Sequence, residues 1–217
     1  MDTIELFSFE GCPYAQRSRM MLVEKNIDCK MVEIDLKNRP NWFSKLAPLG
    51  KVPLLRHNGH VIYESRIINE YLEEVFPLPK LLPNNNIKRA ITRFWVEYCD
   101  SYFMPALRKL NVKNRNKDYV KNCVSLAKVF NFIEDEAFSK NSTGPFLMGA
   151  SVTLADIQFM PFIERFSCYE ELWGVKVPSN CDQFNNWVSV MKTRDSYRMT
   201  CKPHSYHLKR YTAFTNN

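Results

Sequence analysis

Residues 9–17 mark the passage from an apolar strand to a helix, and they read Phe9-Glu10-Gly11-Cys12-Pro13-Tyr14-Ala15-Gln16-Arg17. Pro13 suits the first position of a helix, because its missing N–H removes no hydrogen bond there and its fixed φ is already helical. A helix that begins at Pro13 places Cys12 at the N-cap. Residues 3–9 read as a short strand, so the chain opens with a strand followed by a helix, predicted over about 13–25.

Cys12 is the predicted nucleophile of this segment. At a helix N-terminus its sulfur faces unpaired backbone N–H groups and the positive end of the helix dipole, and both stabilise a thiolate over a thiol. The alternative is a buried and inert cysteine, which is the common state of this residue. Gly11 before it and Pro13 after it favour the reactive interpretation.

The elements that follow continue an alternating order of strands and helices. A strand is predicted over 29–35 and a short helix over 40–46. Two apolar runs, 52–56 and 61–63, flank Asn58-Gly59, which is the strongest short-range signal for a β-hairpin. A helix is predicted from Ser65 to about Val75. The order β-α-β-α-β-β-α predicts a thioredoxin-like domain over residues 1–76.

A second, all-helical domain is predicted over residues 87–217. A linker over 77–86 precedes it, because the prolines and asparagines of that stretch prevent a helix from continuing. Amphipathic patterns then predict helices over about 87–110, 117–139, 154–169 and 182–193. Thr153 and Asp156 form a relative of the capping box, which starts a buried helix and explains both residues without a catalytic role.

The composition is that of a globular chain without a membrane span. Of 217 residues 45% are hydrophobic, yet no stretch approaches the roughly 20 apolar residues that a membrane helix needs. The chain starts without a signal region, so a cytoplasmic localisation is predicted. The seven cysteines are scattered without a Cys-x-x-Cys pair, which argues against a disulfide framework and against a zinc site.

Two other features have a simple structural interpretation. The His57/His60 and His204/His207 spacings lack a neighbouring cluster of cysteines or carboxylates, so no metal is predicted. The net charge is +7, and its densest basic stretch covers residues 108–121. Acidic residues are interspersed and no basic-aromatic alternation is present, so a solvated surface is favoured over a nucleic-acid site. A mild positive field would also attract small anionic substrates.

Five motifs lie in one order along the chain: Gly-Cys-Pro-Tyr-Ala-Gln-Arg at 11–17, Leu-Lys-Asn-Arg-Pro-Asn-Trp-Phe at 36–43, Tyr-Glu-Ser at 63–65, Lys-Leu-Leu-Pro at 80–83 and Pro-Phe-Ile-Glu-Arg at 161–165. In order and approximate spacing they resemble the glutathione transferase superfamily, and most closely its cysteine-type omega class. The resemblance spans nearly the whole chain. It implies an α/β thioredoxin-like domain joined to an all-α domain, glutathione as co-substrate without a metal, and a homodimer.

The resemblance implies a glutathione site built from four residues. Val52-Pro53 resembles the family's cis-proline step, whose bend would leave the Val52 backbone to pair with the cysteinyl unit; a trans proline at a strand start is the alternative. Ser65 would cap its helix and bind the γ-glutamyl carboxylate, or serve as a cap alone, and Glu64 would bind the ammonium. Arg39 stands where the family places a lysine for the glycyl end, and Lys51 could share that role.

Cys12 sets the implied reaction. Common transferases use Tyr or Ser at this place, whereas a cysteine can itself exchange with disulfides, and Ala15 leaves no second cysteine to resolve the product. The implied activities are glutathione-dependent thiol transfer and dehydroascorbate reduction, with weak conjugation. A second-substrate cleft between the domains would be lined by Tyr14, Arg165 and Tyr211, with His204 a further candidate. An ordinary interdomain salt bridge for Arg165 and plain packing for Tyr211 and His204 are the alternatives.

A function of another class stays open. Some proteins of this fold are non-catalytic, RNA-polymerase-associated regulators of the stringent starvation type. Residues 64–79 resemble theirs as well, including a proline-flanked turn after the helix. That family generally lacks the active cysteine, so the intact Gly-Cys-Pro-Tyr motif favours the enzyme, which the fold alone could not decide.

Overall fold

The structure, a computed structural model, describes residues 3–110, 118–140 and 144–216, with side chains up to residue 213. Its residues form two compact units, one of Met1–Lys80 with Asp195–Thr200 and one of Leu81–Arg194 with Cys201–Asn217. The basic stretch over residues 108–121, which the sequence predicts to be a solvated surface, lies partly outside the described residues, because 111–117 are not among them. No helix among the described residues is both long and apolar enough to cross a membrane.

The first unit is built on a four-stranded sheet in the order β2-β1-β3-β4. The strands are β1 Ile4–Ser8, β2 Lys30–Glu33, β3 Leu54–His57 and β4 His60–Tyr63. β1 and β2 are parallel, whereas β3 runs antiparallel to both β1 and β4. The hairpin predicted from Asn58-Gly59 is confirmed, and both residues have the positive φ, 49° and 85°, that a tight hairpin turn requires.

Three helices accompany this sheet, α1 Pro13–Glu24, α2 Asn41–Leu46 and α3 Ser65–Val75, so the predicted order of the unit is confirmed. α1 and α3 pack against each other. Cys12 packs against a hydrophobic core that is formed by buried residues of strands, helices and loops. The residues of this core are Phe7, Ala15, Ile34, Phe43, Ala47, Val52 and Leu54. The start of α1 is therefore anchored on well-packed apolar side chains.

The regular elements described in the second unit are helical, as predicted: α4 Asn86–Tyr98, α5 Met104–Arg108, α6 Tyr119–Ile133, α7 Leu154–Glu164, α8 Phe166–Trp173, α9 Asp182–Thr193 and α11 His204–Asn216. π-helical turns over Cys99–Phe103 and Glu134–Ser139 follow α4 and α6. The single helix predicted over 154–169 is wrong. The backbone tightens at Arg165, whose N–H bonds to the carbonyl of Phe162, and α7 ends there.

The capping box at the start of α7 is confirmed. The Asp156 carboxylate accepts hydrogen bonds from the backbone N–H and the hydroxyl of Thr153, at 2.7 and 2.8 Å. It is fully buried and also accepts from the Leu147 N–H at 3.0 Å and the Trp187 indole at 2.8 Å. Asp156 therefore satisfies four buried donors, which accounts for this motif structurally.

One short helix, α10 Asp195–Arg198, belongs to the first unit although it follows α9 in the chain. It packs against α1, and the Ser196 hydroxyl donates to the Glu24 carboxylate at 2.5 Å. Neither α10 nor α11 was predicted from the sequence. A four-residue helix has no periodicity to detect, because it is barely longer than one turn.

Candidate active site

Cys12 lies at the N-cap of α1, as predicted, with Pro13 as the first helical residue. Its backbone is extended, at φ −85° and ψ 120°. The Cys12 N–H donates to the Phe9 carbonyl at 2.9 Å, and its carbonyl accepts the first helical hydrogen bond, from Gln16, at 3.0 Å. The side chain makes no capping hydrogen bond. Its Sγ instead lies 3.7 Å from the Val52 carbonyl oxygen, 40 residues away in the chain.

The loop that leads to Cys12 is held by charged side chains on both sides. The Arg19 guanidinium, from α1, donates to the Ser8 hydroxyl at 2.7 Å and to the carbonyls of Phe9 and Glu10 at 3.1 and 3.0 Å. The Glu10 N–H donates to the Glu33 carboxylate at 2.8 Å. Arg19 was not predicted as part of the site, because an arginine on an amphipathic helix normally indicates a solvated face.

All seven cysteines are free thiols, but they differ in their surroundings. Burial raises the pKa of three of them to about 11, those of Cys29, Cys168 and Cys181. A thiol with such a pKa stays protonated near neutral pH and reacts slowly as a nucleophile. Cys12 is half-buried and lies at the N-terminus of α1.

The peptide bond between Val52 and Pro53 is cis, as the resemblance implied. Val52 is buried, and its carbonyl oxygen faces the Cys12 sulfur. Among the described residues, the Val52 N–H has no hydrogen-bond partner. The structure therefore brings together the two predicted site residues Cys12 and Val52, with an unused backbone donor beside them.

Glu64 and Ser65 stand at the start of α3, but their roles in the helix end differ from the prediction. Ser65 was predicted to cap the helix, and this is wrong: Glu64 is the N-cap residue and Ser65 is the first helical residue. The reason is the backbone of Glu64, whose φ of 66° and ψ of 122° turn the chain before helical geometry begins. The Glu64 side chain makes no capping bond and is exposed.

Ser65 is buried, and its hydroxyl contacts a residue that the sequence analysis did not identify. The Arg17 Nη1 donates to the Ser65 Oγ at 3.4 Å, and Arg17 is itself fully buried. No local motif could have indicated this contact, because the two residues are 48 positions apart in the chain.

Arg39 is exposed, and its guanidinium lies against Gly50. A Cβ atom at Gly50 would stand only 2.5 Å from the Arg39 Nη1, so the guanidinium uses the space that a side chain would fill. Gly50 precedes Lys51 and Val52. The structure therefore brings Arg39 to the loop that carries Val52, with the exposed Lys51 between them.

The residues predicted for a second-substrate cleft are distributed over both units. Tyr14 lies in the first unit, where the Arg17 guanidinium stands 5.0 Å from its ring. In the second unit, Arg165 is buried, donates to the Pro161 carbonyl and lies 3.7 Å from the Glu164 carboxylate. Tyr211 packs against the ring of Tyr169 at 5.5 Å. Their role in binding a substrate stays a prediction.

His204 and His57 also have structural partners. His204 Nδ1 lies 2.8 Å from the Ser167 hydroxyl, and its Nε2 lies 2.6 Å from the Glu171 carboxylate. His57 Nδ1 lies 2.7 Å from the Tyr71 hydroxyl, within the first unit. Within the ranges that the structure describes, no three His, Cys, Asp or Glu side chains are grouped so that they could hold a metal ion.

Comparison with known proteins gives matches over the first unit and over the whole chain. The family model "Glutathione S-transferase, N-terminal domain" matches residues 6–80. Glutathione S-transferase L3 of Arabidopsis thaliana is 32% identical over 202 residues, 91% of this chain and 82% of that protein. Glutathione S-transferase omega-1 of Mus musculus is 30% identical over 213 residues, 96% of this chain and 85% of that protein. Among solved structures, glutathione transferase Omega 3C from Trametes versicolor has a TM-score of 0.86 and 25% identity, over 98% of this chain and 91% of that one.

Proposed function

The chain belongs to the glutathione S-transferase family, and we propose that it is a cysteine-type member that catalyses glutathione-dependent thiol transfer and dehydroascorbate reduction. The observation that carries this proposal is the position of Cys12, a half-buried thiol at the N-terminus of α1. A helix N-terminus stabilises a thiolate, and the thiolate is the form that attacks a disulfide.

The proposed cycle needs one enzyme thiol. In its first half, the Cys12 thiolate attacks the glutathione sulfur of a mixed disulfide; the S–S bond breaks, the other thiolate leaves and takes up a proton, and Cys12 is now disulfide-bonded to glutathione. In its second half, the thiolate of another glutathione attacks the sulfur of the bound glutathione. The products are glutathione disulfide and the free Cys12 thiolate. Ala15 stands where a resolving cysteine would be, so glutathione itself resolves the intermediate.

The reduction of dehydroascorbate also yields glutathione disulfide, but it consumes two reduced glutathione molecules rather than one. Two glutathione thiols are oxidised to glutathione disulfide, and their two electrons and two protons convert dehydroascorbate to ascorbate. Conjugation of glutathione to electrophiles should be weak. Common transferases use a Tyr or Ser hydroxyl to stabilise the thiolate of glutathione for attack on an electrophile, whereas a cysteine at this position is itself the nucleophile that exchanges with disulfides of glutathione.

The glutathione site is proposed around Cys12 in the first unit. The cysteinyl unit of glutathione would pair with the backbone of Val52, whose carbonyl lies 3.7 Å from the Cys12 sulfur. The γ-glutamyl carboxylate would lie at Ser65 and the start of α3, where helix N–H groups favour an anion, and Glu64 would bind the ammonium. Arg39, beside Gly50, would bind the glycyl carboxylate.

Treatment with glutathione disulfide followed by intact-mass measurement tests the proposal. We expect one glutathione adduct per chain on the unaltered protein and none on Cys12→Ala. Cys29→Ala is the matched control and should keep the adduct, because burial raises the pKa of the Cys29 thiol to about 11. An equal adduct on Cys12→Ala, or thiol transferase activity equal to that of the unaltered protein, would refute the mechanism.

The relatives named above favour the enzyme over a polymerase-associated regulator. Both functions give distinct results in one affinity experiment. Retention on immobilised glutathione without co-purification of RNA polymerase supports the enzyme, and the reverse result supports the regulator.

A further inference from the structure

Arg17 is a buried cation next to the proposed glutathione site. It lies on α1, one turn after Pro13, and its exposed fraction is 0%. Arginine is almost never fully buried unless its charge is paired or hydrogen-bonded, because removing a guanidinium from water is costly. The contacts of the Arg17 guanidinium with its surroundings therefore matter for the structure of this unit.

The Arg17 side chain contacts residues of α1 and α3. Its Nη1 donates to the Ser65 hydroxyl on α3 at 3.4 Å, which is at the long end of the N–H···O range. Its guanidinium lies 5.0 Å from the ring of Tyr14, a distance at which a cation and an aromatic face attract each other. The Asn69 amide of α3 donates to the Arg17 carbonyl at 3.4 Å, so the two helices are also joined through the backbone at this residue.

The contact with Arg17 determines what the Ser65 hydroxyl can do. A hydroxyl has one hydrogen to donate and two acceptor sites, and its hydrogen rotates to suit its surroundings. Because Arg17 can only donate, it occupies an acceptor site of the Ser65 oxygen and leaves the hydroxyl hydrogen for another partner. That partner must be an acceptor, and a carboxylate is the strongest one available in glutathione.

We propose that Arg17 is a positioning residue that makes Ser65 a donor to the γ-glutamyl carboxylate of glutathione. This inference rests on the proposed function. It predicts that Arg17 contributes to the recognition of glutathione specifically through its γ-glutamyl unit. Thiols that lack this unit gain nothing from the arrangement.

Calorimetric binding to a Cys12→Ser protein tests the inference, since this background binds thiols without forming a disulfide. The two probes are glutathione and cysteinylglycine, which is glutathione without its γ-glutamyl residue. Arg17→Met should weaken glutathione binding about tenfold or more, the loss expected for a hydrogen bond to a charged group. Cysteinylglycine binding should change less than about twofold. Arg17→Lys, which keeps the charge but not the planar fork, should lie in between.

A double-mutant cycle separates positioning from a purely structural role. If Arg17 acts through Ser65, Arg17→Met should add less than about twofold in a protein that already carries Ser65→Ala. Arg56→Met is the control, because Arg56 is a partly exposed arginine of the same unit and pairs with Glu5. It should leave the affinity for glutathione unchanged. If Arg17→Met does not fold, the same cycle is made with Arg17→Lys and has to show the same pattern.

Three results would overturn the inference. Arg17→Met could bind glutathione within twofold of the Cys12→Ser parent, or it could weaken the binding of glutathione and cysteinylglycine equally. In the double-mutant cycle, the effects of Arg17→Met and Ser65→Ala on glutathione affinity could multiply. The proposed function fails separately. In that case the Cys12→Ser parent itself does not bind glutathione, whatever residue stands at position 17.

Discussion

Replacing Gly50 with alanine tests the predicted role of Arg39 without changing Arg39. A new Cβ at this position would stand 2.5 Å from the Arg39 Nη1, closer than two such atoms can approach. The guanidinium is the far end of a flexible and exposed side chain, so it can move away at little cost. The substitution therefore displaces the charge that we expect to bind the glycyl carboxylate of glutathione.

Two separate magnitudes follow from the structure. Gly50 has a φ of +61°, where a residue with a Cβ is strained, so Gly50→Ala should lower the free energy of unfolding by about 1–2 kcal/mol. For a chain of this size, that loss lowers the melting temperature by about 2–8 °C. An exposed ion pair contributes about 0.2–1 kcal/mol, so displacement of Arg39 should raise the KM for glutathione about 1.5- to 5-fold.

Gly59→Ala is the matched control, because Gly59 also has a positive φ, +85°, but a Cβ there meets no atom within 4 Å. Both variants should melt at lower temperature, and only Gly50→Ala should raise the KM for glutathione in a steady-state thiol transferase assay. Adding Gly50→Ala to Arg39→Ala should raise it no further. The reasoning about Arg39 is refuted if both glycine variants change the KM equally, or if neither changes it.

Three other outcomes are expected. Limited alkylation with iodoacetamide at neutral pH, read by peptide mass spectrometry, should modify Cys12 before the thiols whose pKa burial raises to about 11, Cys29, Cys168 and Cys181; the opposite order would contradict the assignment of the nucleophile. Asp156→Ala should lower the free energy of unfolding in urea by about 3–5 kcal/mol, because it leaves four buried donors without their acceptor, and a loss below about 1 kcal/mol would contradict this account. Arg19→Met should slow the formation of the glutathione adduct severalfold with little change in melting temperature, because it releases the loop before Cys12. An unchanged rate of adduct formation would mean that the loop holds its position without Arg19.

The first unit could be predicted from the sequence because its elements are marked by residues with few conformational choices. Pro13 fixes the start of α1, and Asn58-Gly59 fixes the hairpin between β3 and β4. The second unit has weaker markers. Nothing in an amphipathic pattern distinguishes a π-helical turn from an α-helical one, and the interruption at Arg165 falls inside a segment that is buried on all sides.

The predicted site has the same division between local and distant signals. Cys12 and the Val52-Pro53 step are recognisable in short motifs, and the structure brings them to within 3.7 Å. The contacts of Arg17 and Arg19 depend instead on how α1 lies against α3 and against the preceding loop. Such contacts arise from tertiary packing, so a single sequence does not contain a spacing that would identify them.

The inclusion of Asp195–Thr200 in the first unit affects how this protein can fold during its synthesis. The Ser196 hydroxyl meets Glu24, a residue made 172 positions earlier. At a ribosomal rate of about 5–20 residues per second, this partner emerges roughly 9 to 35 s after α1 has been made. The thioredoxin-like part of the nascent chain therefore waits, with the face of α1 that α10 covers still exposed, until Asp195–Thr200 has been translated. A fragment that ends at residue 80 would keep that face exposed permanently.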